Sequence, residues 1–268
     1  MLRFIKNYIY KHPIFSTVST YLIISSISIL LDLLRKIELP GTDFWFIIKL
    51  VVLSIILICF MNCIIEPLHN DKLKSTRCIA LLSVFITFII AKLVLIIFVF
   101  SKQSTGYYNL YNILFNFIWA VGIGVTEEVL CRGILLNILL KGGYKSHKTV
   151  SFAVFVSSLV FSLGHISNLF YGSSILSVCV QTFFSFFIGA CFALIYLYSG
   201  SVVLVIALHS IYDFVGFIIN EIGFALPHFS VLYFLINIVF IIIVAVLVCL
   251  NLNYLRNREL DSSVCMSA

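Results

Sequence analysis

Charged residues are scarce in this chain of 268 residues. Only 10% of the residues are charged and 62% are hydrophobic, with a mean hydropathy of +1.16. Soluble domains carry about 25% charged residues, and a soluble chain of this length could not bury so much apolar surface. The shortage of charge therefore predicts that a lipid bilayer is part of the solvent. No polar stretch is long enough to form a separate soluble domain.

Proline is also rare, and cysteine pairs of the C-x-x-C type are absent. The four prolines, Pro13, Pro40, Pro67 and Pro227, lie at or between the ends of apolar runs, where a helix breaker is tolerated. Most of the eight cysteines lie within apolar runs. We therefore interpret them as small buried hydrophobic residues, and we predict neither disulfides nor a thiolate metal site.

Eight apolar segments are long enough to cross a bilayer, which takes about 20 residues. Their approximate ranges are 14–34, 43–65, 77–101, 109–140, 149–171, 174–198, 201–222 and 229–252. The predicted fold class is all-α, a polytopic transmembrane helical bundle. We divide it into residues 1–108 with three N-terminal spans, residues 109–222 as a core of four spans, and residues 223–268 with the last span and a cytoplasmic tail.

Lysine and arginine fall mainly on one side of this predicted bundle. Eleven of them lie at the ends that include both termini, namely Arg3, Lys6, Lys11, Lys72, Lys74, Arg77, Lys141, Lys145, Lys148, Arg256 and Arg258. Three lie on the other side, namely Arg35, Lys36 and Lys102. The positive-inside rule then places both termini in the cytoplasm, which an even number of spans allows. Although the net charge is +6, these residues form no patch, so we predict no nucleic-acid partner.

Six ionisable residues lie deep within the predicted spans. They are Glu127, Glu128 and Arg132 in segment four, His165 in segment five, and His209 and Asp213 in segment seven. A charge at the bilayer centre costs about 2.5–3.5 kcal/mol on insertion scales, so these residues are candidates for function. Lys49 and Lys92 also lie within spans, but toward the outer ends, where a lysine can extend its ammonium to the interface.

The spacing of the six residues is helical. Glu128 and Arg132 are four residues apart, in the favourable order of acid before base, and Glu127 points about 100° away from Glu128. His209 and Asp213 are also four residues apart. Glycines flank these groups at Gly122, Gly124, Gly133 and Gly164, and small residues allow close approach of membrane helices. One such ion pair alone could be structural, but five polar groups besides Arg132 on three helices are too many for packing alone.

Two kinds of hydrolytic site could be built from this set. In one, Glu127 is the general base for a water molecule that the imidazoles orient, while a second histidine with a carboxyl group stabilises an oxyanion. In the other, Glu127, His165 and His209 bind a zinc ion that activates the water. The charge of Arg132 would oppose a nearby dication, and Glu127 cannot be both a tight ligand and a free base. We therefore favour a site without a cofactor.

Three motifs in this region resemble a known family of membrane proteases. Glu127-Glu128-Val129-Leu130-Cys131-Arg132 reads as E-E-x-x-x-R, Phe161-Ser162-Leu163-Gly164-His165 as F-x-x-x-H, and His209-Ser210-Ile211-Tyr212-Asp213 as H-x-x-x-[DN]. In this order they resemble the signature of the CPBP family, the CAAX-processing and bacteriocin-processing intramembrane endopeptidases. The resemblance covers about residues 127–213 and makes residues 109–222 a CPBP-like catalytic core.

The resemblance implies a role for each motif residue. Glu127 and His165 would activate the attacking water, and Glu128 with Arg132 would be the supporting pair. His209 and Asp213 would stabilise the oxyanion, but the family often has asparagine at the last position. An aspartate can donate to an oxyanion only when protonated, and otherwise it would orient His209. The implied substrates are prenylated CAAX-type proteins or bacteriocin-type peptides, and the implied location is a bacterial plasma membrane.

Two other functions remain open on the sequence alone. A proton-coupled transporter could use glutamate, histidine and aspartate as a relay, but it would favour broken helices and an internal repeat. A non-catalytic scaffold or bacteriocin-immunity protein could keep the fold without the reaction. A homologue without activity usually loses a glutamate or a histidine, whereas here every motif residue is present.

The predicted depths of the motif residues do not agree. Glu127 lies 14 residues from Lys141 and His165 lies 17 residues from Lys148, whereas His209 lies only 8 residues from Ser201. At 1.5 Å per residue these depths differ by roughly 13 Å. Either the helices are tilted and staggered, or segment seven begins elsewhere.

Overall fold

The chain folds as a bundle of long apolar helices. The structure, a computed structural model, describes residues 2–38, 44–65, 76–100, 110–141, 148–223 and 227–266, and within these ranges it is helical and contains no β-strand. The α-helices are α1 (Leu2–Lys11), α2 (Pro13–Glu38), α3 (Phe44–Ile64), α4 (Thr76–Phe100), α5 (Leu110–Glu128), α6 (Asn137–Lys141), α7 (Lys148–Gly164), α8 (Ile175–Ser199), α9 (Val202–Gly223) and α10 (Pro227–Met266). A π-helix (Val129–Leu136) joins α5 to α6, and a 3-10 helix (His165–Tyr171) extends α7.

Eight helical stretches in the described ranges are long and apolar enough to cross a membrane. They are Pro13–Asp32, Trp45–Ile64, Thr76–Phe98, Leu110–Lys141, Val150–Tyr171, Ile175–Ser199, Val202–Ile219 and Val231–Arg256. Their ends agree with the predicted segments to within a few residues. The prediction of an all-α, polytopic bundle with eight spans is therefore confirmed, and the chain is an integral, multi-pass membrane protein.

The fourth span resolves the disagreement in predicted depth. It runs without interruption over 32 residues, Leu110–Lys141, and so extends over about 48 Å, which exceeds the roughly 30 Å of a hydrocarbon core. Counting inward from Lys141 therefore does not measure depth in the bilayer. The predicted start of segment seven was correct, because α9 begins at Val202. The motif residues meet because the helices are staggered.

Two cores hold the bundle together. The larger core joins α4, α8, α9 and α10 through aromatic side chains, in which Phe88 stacks on Phe240 with ring centroids 3.6 Å apart and Phe85 contacts Phe192. The smaller core surrounds the π-helix and includes Leu57 of α3. Large apolar side chains outside these cores lie on the surface of the bundle, as expected where helices face lipid.

Two glycines determine how the central helices meet. Gly200 has φ +67°, so it ends α8 in a left-handed conformation that allows the short turn into α9. Gly124 of α5 lies directly against α9, because a Cβ at this position would collide with the Ser210 hydroxyl and lie 3.2 Å from the Ile206 carbonyl oxygen. The predicted close approach at Gly124 is therefore present, and it brings the glutamates at the end of α5 next to α9.

The sequence-based interpretation of three features was incomplete or wrong. The short helix α1 was not predicted, because it precedes the first apolar run, and its Ile9 is buried in the smaller core. Lys49 and Lys92 do not extend to the interface. Lys49 forms an ion pair with Asp32 at 2.9 Å, and Lys92 is only 1% exposed. Among the cysteines that the structure describes, Cys78, Cys131 and Cys191 are buried, whereas Cys59, Cys63, Cys179 and Cys249 are exposed on the surface of membrane helices.

Candidate active site

The π-helix begins at the residue after Glu128 and carries Arg132. A π-helix has one residue more per hydrogen-bonded turn than an α-helix, and such segments are frequent at functional sites. Glu128 and Arg132 are both fully buried, and Nη1 of Arg132 donates to Oε1 of Glu128 at 2.8 Å. The acid–base pair expected from the sequence is thus present at the junction of α5 and the π-helix.

Arg132 is held from two further sides. Its Nη2 donates to the Gly189 carbonyl of α8 at 2.7 Å, and its guanidinium lies over the rings of Phe161 and Phe192, 4.6 Å and 5.8 Å from their centroids. Gly189 must be small here, because a Cβ would lie 2.9 Å from Phe161 and 3.2 Å from Nη2. A buried charge needs such compensation, since its desolvation costs several kcal/mol.

Polar side chains bind the backbone carbonyls of the π-helix. Nδ2 of Asn137 donates to the carbonyl oxygens of Arg132 and Gly133, each at 2.9 Å, and to the Tyr196 hydroxyl at 2.8 Å. The Ser157 hydroxyl of α7 donates to the Cys131 carbonyl at 3.0 Å. These side chains bind backbone carbonyls of the π-helix itself. They therefore stabilise this segment and, with it, the position of Glu128.

His209 of α9 lies between the carboxylates. Its Nδ1 is 2.8 Å from Oε1 of Glu128, while its Nε2 is 3.3 Å from Oδ2 of Asp213 and 3.8 Å from Oε2 of Glu127. Its ring is also packed between Phe161 and Phe192, with centroid distances of 5.6 Å and 5.5 Å. These two rings therefore hold both Arg132 and His209 in place.

Glu127 differs from Glu128 in being partly exposed, although each of the two has a buried Oε2 that accepts no hydrogen bond. Its side chain is about one third exposed, at 35%, but Oε2 is buried and accepts no hydrogen bond. The group nearest to this oxygen in the ion-pair network is His209 Nε2 at 3.8 Å, too far for a hydrogen bond. A buried carboxylate oxygen in this state is suited to accept a proton from a small molecule such as water.

His165 lies at the start of the 3-10 helix, beyond the other motif residues. Its ring packs edge-on to Phe161, with centroids 5.6 Å apart, and it interacts electrostatically with Glu127. Nδ1 of His165 is 3.4 Å from Nε2 of Gln181 in α8, and Oε1 of Gln181 accepts from Asn168 Nδ2 at 2.9 Å. Since Oε1 of Gln181 is already an acceptor, its Nε2 donates to Nδ1 of His165, which leaves the imidazole proton on Nε2.

A cavity of about 250 Å³ connects His165 to His209 and Asp213. Its other walls come from Phe161 of α7, from Val180, Gln181, Phe184, Ser185 and Ile188 of α8, from Tyr212 of α9, and from Tyr233, Phe234 and Asn237 of α10. Most of this lining is aromatic or aliphatic. An apolar cavity with a few convergent polar groups at one side is typical of a ligand or substrate site.

The side chains that could hold a zinc ion do not form a compact group of ligands in the part of the chain that the structure describes. Among the described residues, no group of three or more histidine, cysteine, aspartate or glutamate side chains is placed to hold one ion. Of the three candidate ligands Glu127, His165 and His209, the last bonds Glu128 through Nδ1, which leaves Nε2 as its nitrogen for a metal. As they are arranged here, these carboxylates and imidazoles can act on a water molecule directly.

The fold and these contacts define a polytopic membrane protein with a buried polar site inside its bundle. Residues 109–215 match the family model described as "Type II CAAX prenyl endopeptidase Rce1-like". These residues are similar to that family, and the resemblance to the CPBP endopeptidases is confirmed. The comparison with curated proteins gave no match, and neither did the comparison with solved structures. The family match supports an intramembrane endopeptidase of the CAAX-processing type in broad terms.

The structure brings five of the six predicted site residues into one network. Glu127, Glu128, Arg132, His209 and Asp213 are linked by the contacts described above. His165 lines the same cavity as His209 and Asp213. The sequence motifs did not identify Asn137, Gln181 or the part of α10 that lines the cavity. Gln181 and Asn137 are polar residues within apolar runs and could have been noticed for that reason. Tyr233 carried no such signal.

Proposed function

We propose that this chain is an intramembrane endopeptidase that hydrolyses a peptide bond with a water molecule activated by Glu127. The observation that carries the proposal is that Glu127 has an unpartnered Oε2, 3.8 Å from His209 Nε2, on a side chain that is 35% exposed. Oε1 of the neighbouring Glu128 is occupied by Arg132 and His209, and the whole Glu128 side chain is buried away from water. Of the two glutamates, Glu127 is the one that combines an unpartnered oxygen with a partly exposed side chain, as a general base acting on water needs.

The proposed reaction uses the site residues in sequence. Glu127 takes a proton from water, with His165 orienting the water, while the water oxygen attacks the carbonyl carbon of the scissile bond. The positive charges of His209 and of the nearby Arg132 stabilise the oxyanion. The C–N bond then breaks, and protonated Glu127 returns its proton to the leaving amine. No zinc is part of this scheme, because the described carboxylate and imidazole groups are not arranged as ligands.

The proposed substrates are prenylated CAAX-type proteins or bacteriocin-type peptides. The cavity beside the motif residues has an aromatic wall formed in part by Phe184 and Tyr233, which suits an apolar stretch next to the scissile bond. We further propose that the protein resides in a bacterial plasma membrane with both termini in the cytoplasm.

The test is cleavage of two reporter peptides, one prenylated with a CAAX ending and one carrying a bacteriocin leader, by purified protein in lipid. Glu127→Gln keeps the shape of the side chain but removes the base, so we expect kcat to fall by about 10²–10⁴-fold. Thr126→Val is the matched control, because the Thr126 hydroxyl binds Gly122 and Ser54 rather than the site. Full activity of Glu127→Gln would refute the proposed role of Glu127.

Elemental analysis of the active protein separates the two hydrolytic mechanisms. We expect no stoichiometric zinc and no loss of activity with a chelator. About one zinc per chain, with activity lost to the chelator and restored by zinc, would contradict the metal-free mechanism. If the chain is instead a non-catalytic immunity or scaffold protein, it should cleave neither reporter. Its Glu127→Gln variant should then have the same effect in cells as the wild type.

A further inference from the structure

Lys92 is a buried lysine in the C-terminal half of α4, outside the segment that matches the family. Only 1% of the residue is exposed. Its ammonium lies over three aromatic rings, 4.2 Å from the centroid of Tyr212, 4.5 Å from Phe88 and 5.3 Å from Tyr233. A desolvated ammonium is costly within a membrane protein, and aromatic faces offset part of that cost. Because no part of the proposed reaction uses Lys92, this buried charge needs another explanation.

The aromatic rings around Lys92 are also part of the cavity wall. Tyr212 and Tyr233 line the cavity together with His209 and Asp213, and Tyr212 immediately precedes Asp213 in α9. The charge of Lys92 interacts with that of Asp213. Lys92 therefore lies directly behind the wall that carries one end of the catalytic network.

With all three carboxyl groups of the site ionised and His209 protonated, the charges of the site balance when Lys92 is included. The site contains three carboxylates, on Glu127, Glu128 and Asp213. Arg132 compensates Glu128 directly, at 2.8 Å. If His209 is shared between Glu128 and Asp213, as its contacts indicate, the cluster needs one further cation to be neutral. Buried charges persist when they are compensated, and Lys92 is the cation on the Asp213 side.

We propose that Lys92 is a positioning residue that compensates the charge of Asp213, so that Asp213 acts as a hydrogen-bond acceptor for His209. This inference rests on the proposed function and adds a residue of α4 to the machinery. Asp213 accepts from Nε2 of His209 and Glu128 accepts from Nδ1, so both nitrogens of the imidazole are held. In the proposed reaction, the positive charge of this imidazole then faces the carbonyl group of the scissile bond. Asp213 then orients His209 and does not donate to the oxyanion.

A double-mutant cycle between Lys92 and Asp213 tests the proposal. Lys92→Met keeps the length of the side chain but removes the charge, and we expect kcat to fall about tenfold or more with a smaller change in KM. Asp213→Asn removes the carboxylate charge with little change in shape. In the Lys92→Met protein, Asp213→Asn removes the charge that lacks compensation, so we expect the double variant to be more active than Lys92→Met alone. Lys92→Arg keeps the charge and should retain more activity than Lys92→Met.

Lys49→Met is the matched control, because Lys49 is also a buried intramembrane lysine but pairs with Asp32. Asp213→Asn should not rescue Lys49→Met. Independent, multiplicative effects of Lys92→Met and Asp213→Asn on kcat would overturn the proposal. If Lys92→Met does not accumulate in membranes, the same cycle is read from the amount of folded protein, and lack of recovery in the double variant would overturn it.

These outcomes remain distinct from a failure of the proposed function. If Glu127→Gln abolishes cleavage but Lys92 and Asp213 do not couple, only the role of Lys92 is wrong. If the purified protein cleaves neither reporter, the cycle is measured by thermal unfolding. A coupling in the melting temperature would then support the charge pairing without the reaction, and additive changes would contradict it.

Discussion

At the scale of single residues, the site depends on the different surroundings of two neighbouring glutamates, Glu127 and Glu128. Each has an Oε2 without a partner, but Glu128 is fully buried and shares Oε1 between Arg132 and His209, whereas the Glu127 side chain is partly exposed. Arg132 is the reason for this division, because its guanidinium is fixed by Glu128, Gly189 and two aromatic rings and does not reach for Glu127. The proposed base is thus left free by the pairing of its neighbour.

Arg132→Ala should therefore destabilise the fold as well as abolish cleavage. The change leaves the buried carboxylate of Glu128 without its cation, and breaking a buried pair costs about 3–5 kcal/mol. We expect a markedly lower melting temperature in lipid or detergent and less protein in the membrane. Glu127→Gln is the comparison, because its activity should fall without this loss of stability. An Arg132→Ala protein that accumulates normally and unfolds at the wild-type temperature would show that Glu128 is stabilised in another way.

The sequence identified these residues because intramembrane charges are rare. Six deep ionisable residues at helical spacings pointed to one site, and the structure places five of them in contact around His209. The same reasoning failed for Lys92, since position along an apolar run does not show whether a lysine faces lipid or the inside of the bundle. Its three aromatic neighbours lie on α4, α9 and α10, so only the tertiary packing brings them together.

At the scale of secondary structure, the site depends on a departure from the α-helix. The spacing of Glu128 and Arg132 suggested a regular helix, whereas the structure has a π-helix from Val129 to Leu136. This segment could not be predicted from the sequence, because the residues that stabilise it act through backbone carbonyls. Asn137 and Ser157 donate to three of these carbonyls, and Ser157 comes from a different helix, α7.

Asn137→Leu should lower both stability and activity. Leucine has a similar size but cannot donate, so the carbonyls of Arg132 and Gly133 lose a partner in a buried place, at a cost of about 1–3 kcal/mol. If the segment relaxes toward an α-helix, Glu127 and Glu128 also rotate relative to His209, and kcat should fall further than stability alone explains. Both quantities can be measured as the melting temperature and the rate of reporter cleavage.

Tyr196→Phe is the matched control for this change. It removes the hydroxyl that accepts from Asn137, but it leaves both backbone bonds of Asn137 in place. We expect a smaller loss of stability and little loss of activity. Equal stability and activity of Asn137→Leu and the wild type would mean that the π-helix does not need this side chain.

At the scale of the whole molecule, helices outside the family match complete the site. The match covers residues 109–215, but α10 supplies Tyr233, Phe234 and Asn237 to the cavity, and α4 supplies Lys92 behind it. The fold class and the number of spans could be predicted from length and hydropathy alone. The contribution of α4 and α10 could not, because helix order along the chain does not determine which helices are neighbours in a bundle.

Eight spans place both termini on the same side of the membrane, and the distribution of lysine and arginine predicts that this side is the cytoplasm. Reporter fusions at Met1 and Ala268 should therefore both report the cytoplasm, while a fusion after Lys102, between the third and fourth spans, should report the outer face. The fusion at Lys102 is the internal control, since it must lie opposite Met1 after three crossings. Termini on opposite sides would contradict the eight-span topology. If both termini lie on the outer face, the number of spans is correct but the orientation of the bundle is reversed. The helix ends that carry Lys141 and Arg256 would then lie outside the cell.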